Sequence, residues 1–424
     1  MNLTQIHEYF SACPAGVPYG HAEAQPAFAL VGSETSPVQF IGVAGTAGKT
    51  AVTQMVAGIL REAGFSCGAY TAGTLPLQQR ITLNGKPVTA PGLSAAVTKL
   101  KKLETQPART VAELAAACYC FAKAGCTFAV VELTDAMLAG FFGSMPVCAV
   151  TQIGDDGSGF TAERLAHSAC AMMRKDCTVV TTPAQDKKAI SEMVVCAAKT
   201  ECELKVPEME DLELGGGKRL LRTVDYGGYL FLLPHIGAAA AENAAIAVEV
   251  ALALWRKGYT IEDEAILEGL PKIAGECGVH FLRQRPKIVA APCHKPVQAA
   301  MLARLFAASH VDQITVVAGL SDCMDPEAFF TALETGFIPE EDQDEKTKMA
   351  GMSDNPISKV YLVTPEDEDA VPAEEAEAAA KFHFDTELCT SLAEAMEKAR
   401  TNPAEVLLVL GGEPICRAAA KLVK

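Results

Sequence analysis

The chain has 424 residues, 50% of them hydrophobic and 21% charged, which is long enough for two domains with separate cores. A formal net charge of -16 argues against a nucleic-acid backbone as partner, since its phosphates would be repelled. It leaves room for a nucleotide, because a local cradle of backbone N–H groups can hold phosphate in an acidic protein. The 15 cysteines are scattered through apolar runs with no C-x-x-C spacing, which argues against zinc-ribbon and thioredoxin motifs and for buried, reduced thiols. The opening residues Met1-Asn2-Leu3-Thr4-Gln5 have no basic segment followed by an apolar one, so no secretory signal is expected. The alanine-rich stretch 237–255 is broken by Glu242, Asn243 and Glu249 and does not read as a membrane span. The expectation is a cytoplasmic protein that binds neither nucleic acid nor membrane.

In chain order, strand-like and helical runs alternate. Residues 38–44 form a short β-branched run closed by glycine, and 49–63 carry apolar residues at helical spacing. An Asn84-Gly85 turn between short strands predicts a hairpin over 80–88. A helix is expected over 110–124, buried strands over 128–133 and 147–153, a helix over 161–174, a strand over 177–181 and a helix over 238–257. Alternation resumes after Lys287 with strands at 288–290, 314–318, 360–363 and 406–410. Such alternation predicts parallel strands joined by crossover helices, hence α/β domains with a doubly wound, mostly parallel sheet. The boundary between a first domain, 1–285, and a smaller second one, 286–424, is expected near Lys287. The polar, acidic stretch 340–358 reads as a surface loop or insertion.

The segment that carries chemistry is Gly45-Thr46-Ala47-Gly48-Lys49-Thr50, between the first strand and the helix that follows it. Glycines let the backbone fold around an anion, and the N–H groups of a helix start point at it. Lys49 is suited to terminal phosphates and the Thr50 hydroxyl to a magnesium ion. It is not a strict Walker A, because Val43 stands where that motif has its first glycine.

The form Gly-Thr-x-Gly-Lys-Thr resembles the loop of the Mur ligase superfamily, written G-T-N-G-K-[ST]. The remaining motifs resemble its folylpolyglutamate synthase and dihydrofolate synthase branch. Gly68-Ala69-Tyr70-Thr71-Ala72-Gly73-Thr74-Leu75, Gln79-Arg80-Ile81 and Asn84-Gly85-Lys86 are similar to "GLYTSPHL … ERI … NG". Val130-Val131-Glu132-Leu133 falls at "LEVG" and Thr151-Gln152-Ile153-Gly154 at "TNIG". Asn243 falls in "GxHQxxNAALA", and Cys293-His294-Lys295-Pro296 falls at "AHNP".

The resemblance implies a P-loop, Mur-ligase-like ATPase domain followed by a smaller Rossmann-like C-terminal ligase domain. It implies a reaction in which ATP phosphorylates a carboxylate and an amine attacks the acyl phosphate, with glutamate and a folate-like acceptor as the model substrates. It further implies ATP and Mg2+ as cofactors and a monomer. Gly45, Thr46, Ala47, Gly48, Lys49, Thr50 and Asn243 would bind the nucleotide, Asn243 at its adenine end. Thr50 and Glu132 would hold the metal, while Lys49, Glu132 and His294 would act in catalysis. Asp135, Asp155 and Asp156 stand near expected strand ends and are further oxygen donors. With the phosphate loop at Gly45, no room is expected for the extra N-terminal domain of the peptidoglycan-building Mur ligases.

Departures are concentrated at the family's other chemical positions. Its magnesium-binding histidine falls at Gly157, its carbamylated lysine at Ala169, its loop serine at Ala72 and its "HQ" pair at Ala239-Ala240. The arginine of "PGR" falls near Val279 and the aspartate of "DGAHN" at Ala291. Lys175 and Lys187 are the lysines that stand near the missing one. These departures define an alternative: an ATP-binding pseudoenzyme of the same fold acting as a regulatory or partner protein.

Overall fold

The computed structural model describes residues 1–15, 21–73, 77–155, 157, 159–214, 222–233, 238–274, 280–284, 286–308, 311–338, 355–367, 369–402 and 404–423. Asp156, Val279 and the acidic stretch 340–354 lie outside the described residues. The chain divides into two compact units. One is built from Met1–Ile153, Thr161–Pro234 and Ala240–Ala274, the other from Gly154–Phe160, His235–Ala239 and Gly275–Lys424.

The first unit is organised on strands β1 (Gln39–Ala44), β2 (Cys67–Tyr70), β3 (Ile81–Leu83), β4 (Lys86–Pro87), β5 (Phe128–Glu132), β6 (Val147–Val150), β7 (Thr178–Thr181) and β8 (Glu203–Lys205). They form one sheet in the order β4-β3-β2-β5-β1-β6-β7-β8. β2, β5, β1, β6, β7 and β8 pair in parallel, and β3 and β4 add an antiparallel edge. That edge is the expected hairpin, its turn made by Asn84 at φ 50° and Gly85 at φ 75°.

Alternate side chains of the central strands feed two cores, as the pleat requires. Phe40 and Ala44 of β1 and Ala129 and Val131 of β5 face one core, shared with the helices Ala90–Leu100 and Arg109–Ala124. Ile41, Val43, Phe128 and Val130 face the other, shared with the helices Lys49–Glu62 and Ala238–Arg256. Gly269 brings the helix Asp263–Ala274 against the Ile59 backbone, where an added Cβ would lie 2.7 Å from Ile59 N.

The sequence reading missed a three-stranded antiparallel sheet over the second core, β9 (Leu212–Leu214), β10 (Arg222–Tyr226) and β11 (Tyr229–Leu233). Its turn, Gly227-Gly228, has both residues at positive φ, 59° and 90°. The expected helix 161–174 is also shorter: the α-helix is Ala162–Ala169, and a 3-10 turn, Cys170–Met172, ends it before Met173 becomes extended.

The second unit has its own sheet from β12 (His280–Gln284), β13 (Lys287–Pro292), β14 (Ile314–Gly319), β15 (Ile357–Leu362), β16 (Thr386–Leu388) and β17 (Val406–Gly411). Its order is β12-β13-β17-β14-β15-β16, parallel except for the β12–β13 pair. The α/β class is therefore as expected from alternation, and the second, smaller, mostly parallel sheet is as the resemblance implied. Among the described residues no helix is long and apolar enough to cross a membrane.

Candidate active site

Chain order places the phosphate-loop segment at the point where the sheet reverses direction. From β1 the chain crosses to β2, returns to β5 beside β1, and then continues to β6 on the other side. A crevice opens beyond the carboxyl ends of strands at such a point. Register sets the neighbours: Val43 pairs with Glu132 of β5 and Ala44 with Val150 of β6. Glu132 and Thr151 therefore flank the start of the loop on its two sides.

The loop is held by backbone. Thr46 N and Ala47 N donate to Gln152 O at 2.8 and 3.2 Å, and Thr151 N donates to Ala44 O at 2.8 Å. Gln185 braces the same segment, its Nε2 donating to Thr151 O at 3.0 Å while its Oε1 accepts from Ile153 N at 2.8 Å. Gly45 (φ 129°) and Gly48 (φ 89°) are glycines by necessity. A Cβ on Gly45 would meet Thr151 Oγ1 at 2.2 Å, and one on Gly48 would meet Asn243 Oδ1 at 2.5 Å. Asn243 thus stands against the start of the 14-residue helix Lys49–Glu62, whose N-cap, Gly48, has no side-chain hydrogen bond. An uncapped helix start with glycines closely packed behind it is a cradle suited to an oxyanion.

Lys49, Thr50 and Glu132 converge beside it. Thr50 Oγ1 donates to Glu132 Oε2 at 2.8 Å, and Ala72 N donates to the same oxygen at 3.1 Å. Lys49 Nζ lies 4.0 Å from Glu132 Oε1 and donates to Gly45 O at 3.0 Å and Thr46 O at 3.4 Å. Glu132 is 5% and Lys49 8% exposed, whereas Thr50 is exposed to solvent. A hydroxyl and a carboxylate 2.8 Å apart are hard oxygen donors of the kind magnesium takes, so Thr50 and Glu132 fit that ion. The Ala72 position keeps a role through its N–H although it has no hydroxyl.

The sequence reading did not find the buried network behind this site. Arg80 Nη2 pairs with Glu113 Oε1 at 2.7 Å, and Tyr70 donates its hydroxyl to Glu113 Oε2 at 3.3 Å. Arg80 Nη1 reaches Thr71 O, one residue before Ala72, at 3.4 Å. Burial first, and the Glu113 carboxylate second, push the Tyr70 phenol above its ordinary value, so it remains a donor. The network anchors the 70–72 strand end that supplies an N–H to Glu132. Arg80 and Glu113 are distant in sequence and no linear motif joins them.

The other candidates lie elsewhere. Asp135 caps the 3-10 helix Ala136–Phe141, accepting from Met137 N at 2.9 Å. Asp155 Oδ1 accepts from Gly157 N at 2.8 Å, so the position of the family histidine is a turn glycine. Lys175 pairs on the surface with Glu201 at 2.6 Å, ahead of β7 and hence at the amino edge of the parallel sheet, opposite the loop. It does not stand in for the missing lysine. Arg174 is taken up by the carbonyls of Ala139, Phe142 and Gly143. Lys187 is exposed at the start of the helix Lys187–Thr200. In the second unit, His294 Nε2 lies 3.8 Å from Asp322 Oδ2, and its backbone N–H donates to Gln298 Oε1 at 3.0 Å.

Comparison with solved structures decides the fold. Mycobacterium tuberculosis folylpolyglutamate synthase complexed with ADP superposes with a TM-score of 0.80 at 19% identity, over 99% of this chain and 98% of that one. This is the folylpolyglutamate synthase fold. E. coli FolC in complex with DHPP and ADP shares it at a TM-score of 0.80 and 16% identity, over 100% of this chain and 98% of that one. The Yersinia pestis bifunctional folylpolyglutamate synthase/dihydrofolate synthase with Mn, AMPPNP and L-glutamate bound shares the fold at 0.76 and 17%, with 100% and 98% covered. Among curated proteins, a probable bifunctional folylpolyglutamate synthase/dihydropteroate synthase of Haloferax volcanii is 25% identical over 309 residues, 68% of this chain. The chain spans 36% of that relative's length. No protein-family model matches the chain. The resemblance read from the motifs and the fold found by superposition are the same.

Proposed function

We propose that the protein is an ATP-dependent ligase that joins a carboxylate to an amine through an acyl phosphate. The observation that carries this reading is the convergence of Lys49, Thr50 and Glu132 on the uncapped helix start, with Thr50 Oγ1 2.8 Å from Glu132 Oε2. Gly45 to Thr50 bind the ATP phosphates, and Lys49 holds the charge that builds on the transferring group. Thr50 and Glu132 hold magnesium, which when bound supplies charge neutralisation across the phosphate oxygens. Asn243 serves nucleotide binding from beside Gly48.

The carboxylate oxygen attacks the γ-phosphorus and ADP departs. The amine then attacks the acyl carbon, inorganic phosphate leaves, and the amine proton passes to solvent or a base. No protein nucleophile is required. His294, carried from the family motif, is assigned to catalysis. Glutamate as the amine and a folate-like acid as its partner are the substrate pair that the named relatives suggest. We assign the protein to the cytoplasm, a reducing compartment that suits fourteen unpaired cysteines among the described residues, and take it to act as a monomer.

The test is ADP formation with magnesium, with and without glutamate and folates, for the wild type and Lys49→Ala. Acceptor-stimulated ADP release that is lost in the variant supports the ligase. Nucleotide binding lost in the variant, with no turnover for the wild type on any acid–amine pair, supports the pseudoenzyme alternative.

A further inference from the structure

Away from the phosphate loop, two helices of the first unit bring together three side chains that no linear motif connects. His167 lies near the end of the helix Ala162–Ala169. Glu192 and Cys196 lie four apart on the helix Lys187–Thr200, hence on one face. His167 Nδ1 is 2.7 Å from Glu192 Oε1, and Cys196 Sγ is 3.5 Å from the same oxygen. The ligand atoms of His167, Glu192 and Cys196 all lie within 4.8 Å of one another.

An isolated surface pair would explain His167 and Glu192, because the His167 side chain is 74% exposed. It does not explain the buried Cys196 thiol, 3.5 Å from the same carboxylate oxygen. An imidazole, a carboxylate and a thiol form the mixed N/O/S set that zinc takes, with bonds of about 2.0–2.3 Å. Ligand atoms around one such ion are separated by roughly 3.3–3.8 Å, within the 4.8 Å that spans these three. The cluster is reached from solvent through a recess of about 260 Å³ lined by Thr161, Glu163, Arg164, His167 and Glu192.

We propose that His167, Glu192 and Cys196 form a binding site for a thiophilic divalent cation of the zinc class, separate from the phosphate site. On binding, the Cys196 thiol gives its proton to solvent and becomes a thiolate ligand, while His167 ligates as the neutral imidazole. One thiolate and one carboxylate balance the charge of the dication, and Arg164 lines the approach to the site. With protein ligands from both helices and a water in the fourth position, the ion ties the helix Ala162–Ala169 to the helix Lys187–Thr200.

The test is a titration of the reduced, chelator-stripped full-length protein with Co2+ in excess Mg2+, which keeps the oxygen site occupied. The expected result is a saturable thiolate-to-cobalt charge-transfer band at one equivalent, displaced by Zn2+. The band should be lost in Cys196→Ser, and affinity should fall at least about tenfold in His167→Ala. The exposed His167 makes that last variant safe to fold, and circular dichroism checks both. Absence of a saturable band, a band that survives in Cys196→Ser, or unchanged affinity in His167→Ala overturns the proposal. None of these outcomes bears on the ligase reading, which uses different residues.

Discussion

Glu132 is where two other stretches of chain meet: the Lys49 ammonium and Thr50 hydroxyl from one and the Ala72 N–H from the other all address its carboxylate. Lys49→Ala is expected to lower ADP formation about 100- to 1000-fold, the scale of losing a charge-stabilising donor, without unfolding the protein. Glu132→Gln should keep the fold and raise the magnesium concentration needed for half-maximal ADP formation, read from a magnesium titration. Lys49 and Thr50 stood out in the sequence by residue type at a helix start and Glu132 through the family resemblance, and the fold brings the three together. Arg80 was not, because its meaning depends on Glu113, a partner 33 residues away that only the fold supplies. Breaking that buried pair from one side leaves a charge without its partner, so Arg80→Met should cost roughly 3–5 kcal/mol in chemical denaturation. The double variant Arg80→Met with Glu113→Leu should recover most of it, and a double-mutant cycle measures the coupling.

At the scale of elements, the buried strands and the Asn84-Gly85 hairpin were readable because hydrophobic runs and turn residues are local signals. The small sheet β9–β11 carried a comparable signal, Tyr226-Gly227-Gly228-Tyr229 followed by the apolar run to Leu233, but β9 is three residues long and β10 carries Arg222, Thr223 and Asp225. Helix ends were the least legible feature. The helix expected to run to residue 174 stops at Ala169, because the segment turns to pack Met172 and Met173 into the core. Caps at other helices are independent of the site and give a clean stability test. Ser391 Oγ accepts from Glu394 N at 3.2 Å at the head of the helix Leu392–Thr401. Ser391→Ala should therefore cost about 0.5–2 kcal/mol in thermal or urea unfolding with no change in nucleotide binding.

Across the whole molecule, a central parallel sheet reverses direction beside β1, and the loop that follows β1 inherits the crevice. The phosphate site is therefore a property of topology as much as of motif. A ligand that binds only the folded state stabilises it by about 2.7 kcal/mol at one hundred times its Kd. ATP with magnesium should accordingly raise the melting temperature of the wild type by a few degrees and leave that of Lys49→Ala unmoved, as read by calorimetry. Of the positions where the sequence departs from the motifs it resembles, Gly157 forms a turn and Ala169 and Ala291 are buried in the packing.

The most direct measurement is the rate of ADP release from wild type and Lys49→Ala with magnesium, in the presence and absence of an amine and a carboxylate acceptor. The ligase account predicts release that depends on both acceptors, yields an amide product and disappears in the variant. Tight nucleotide binding with no acceptor-dependent ADP release across glutamate, folates and related acids would contradict it.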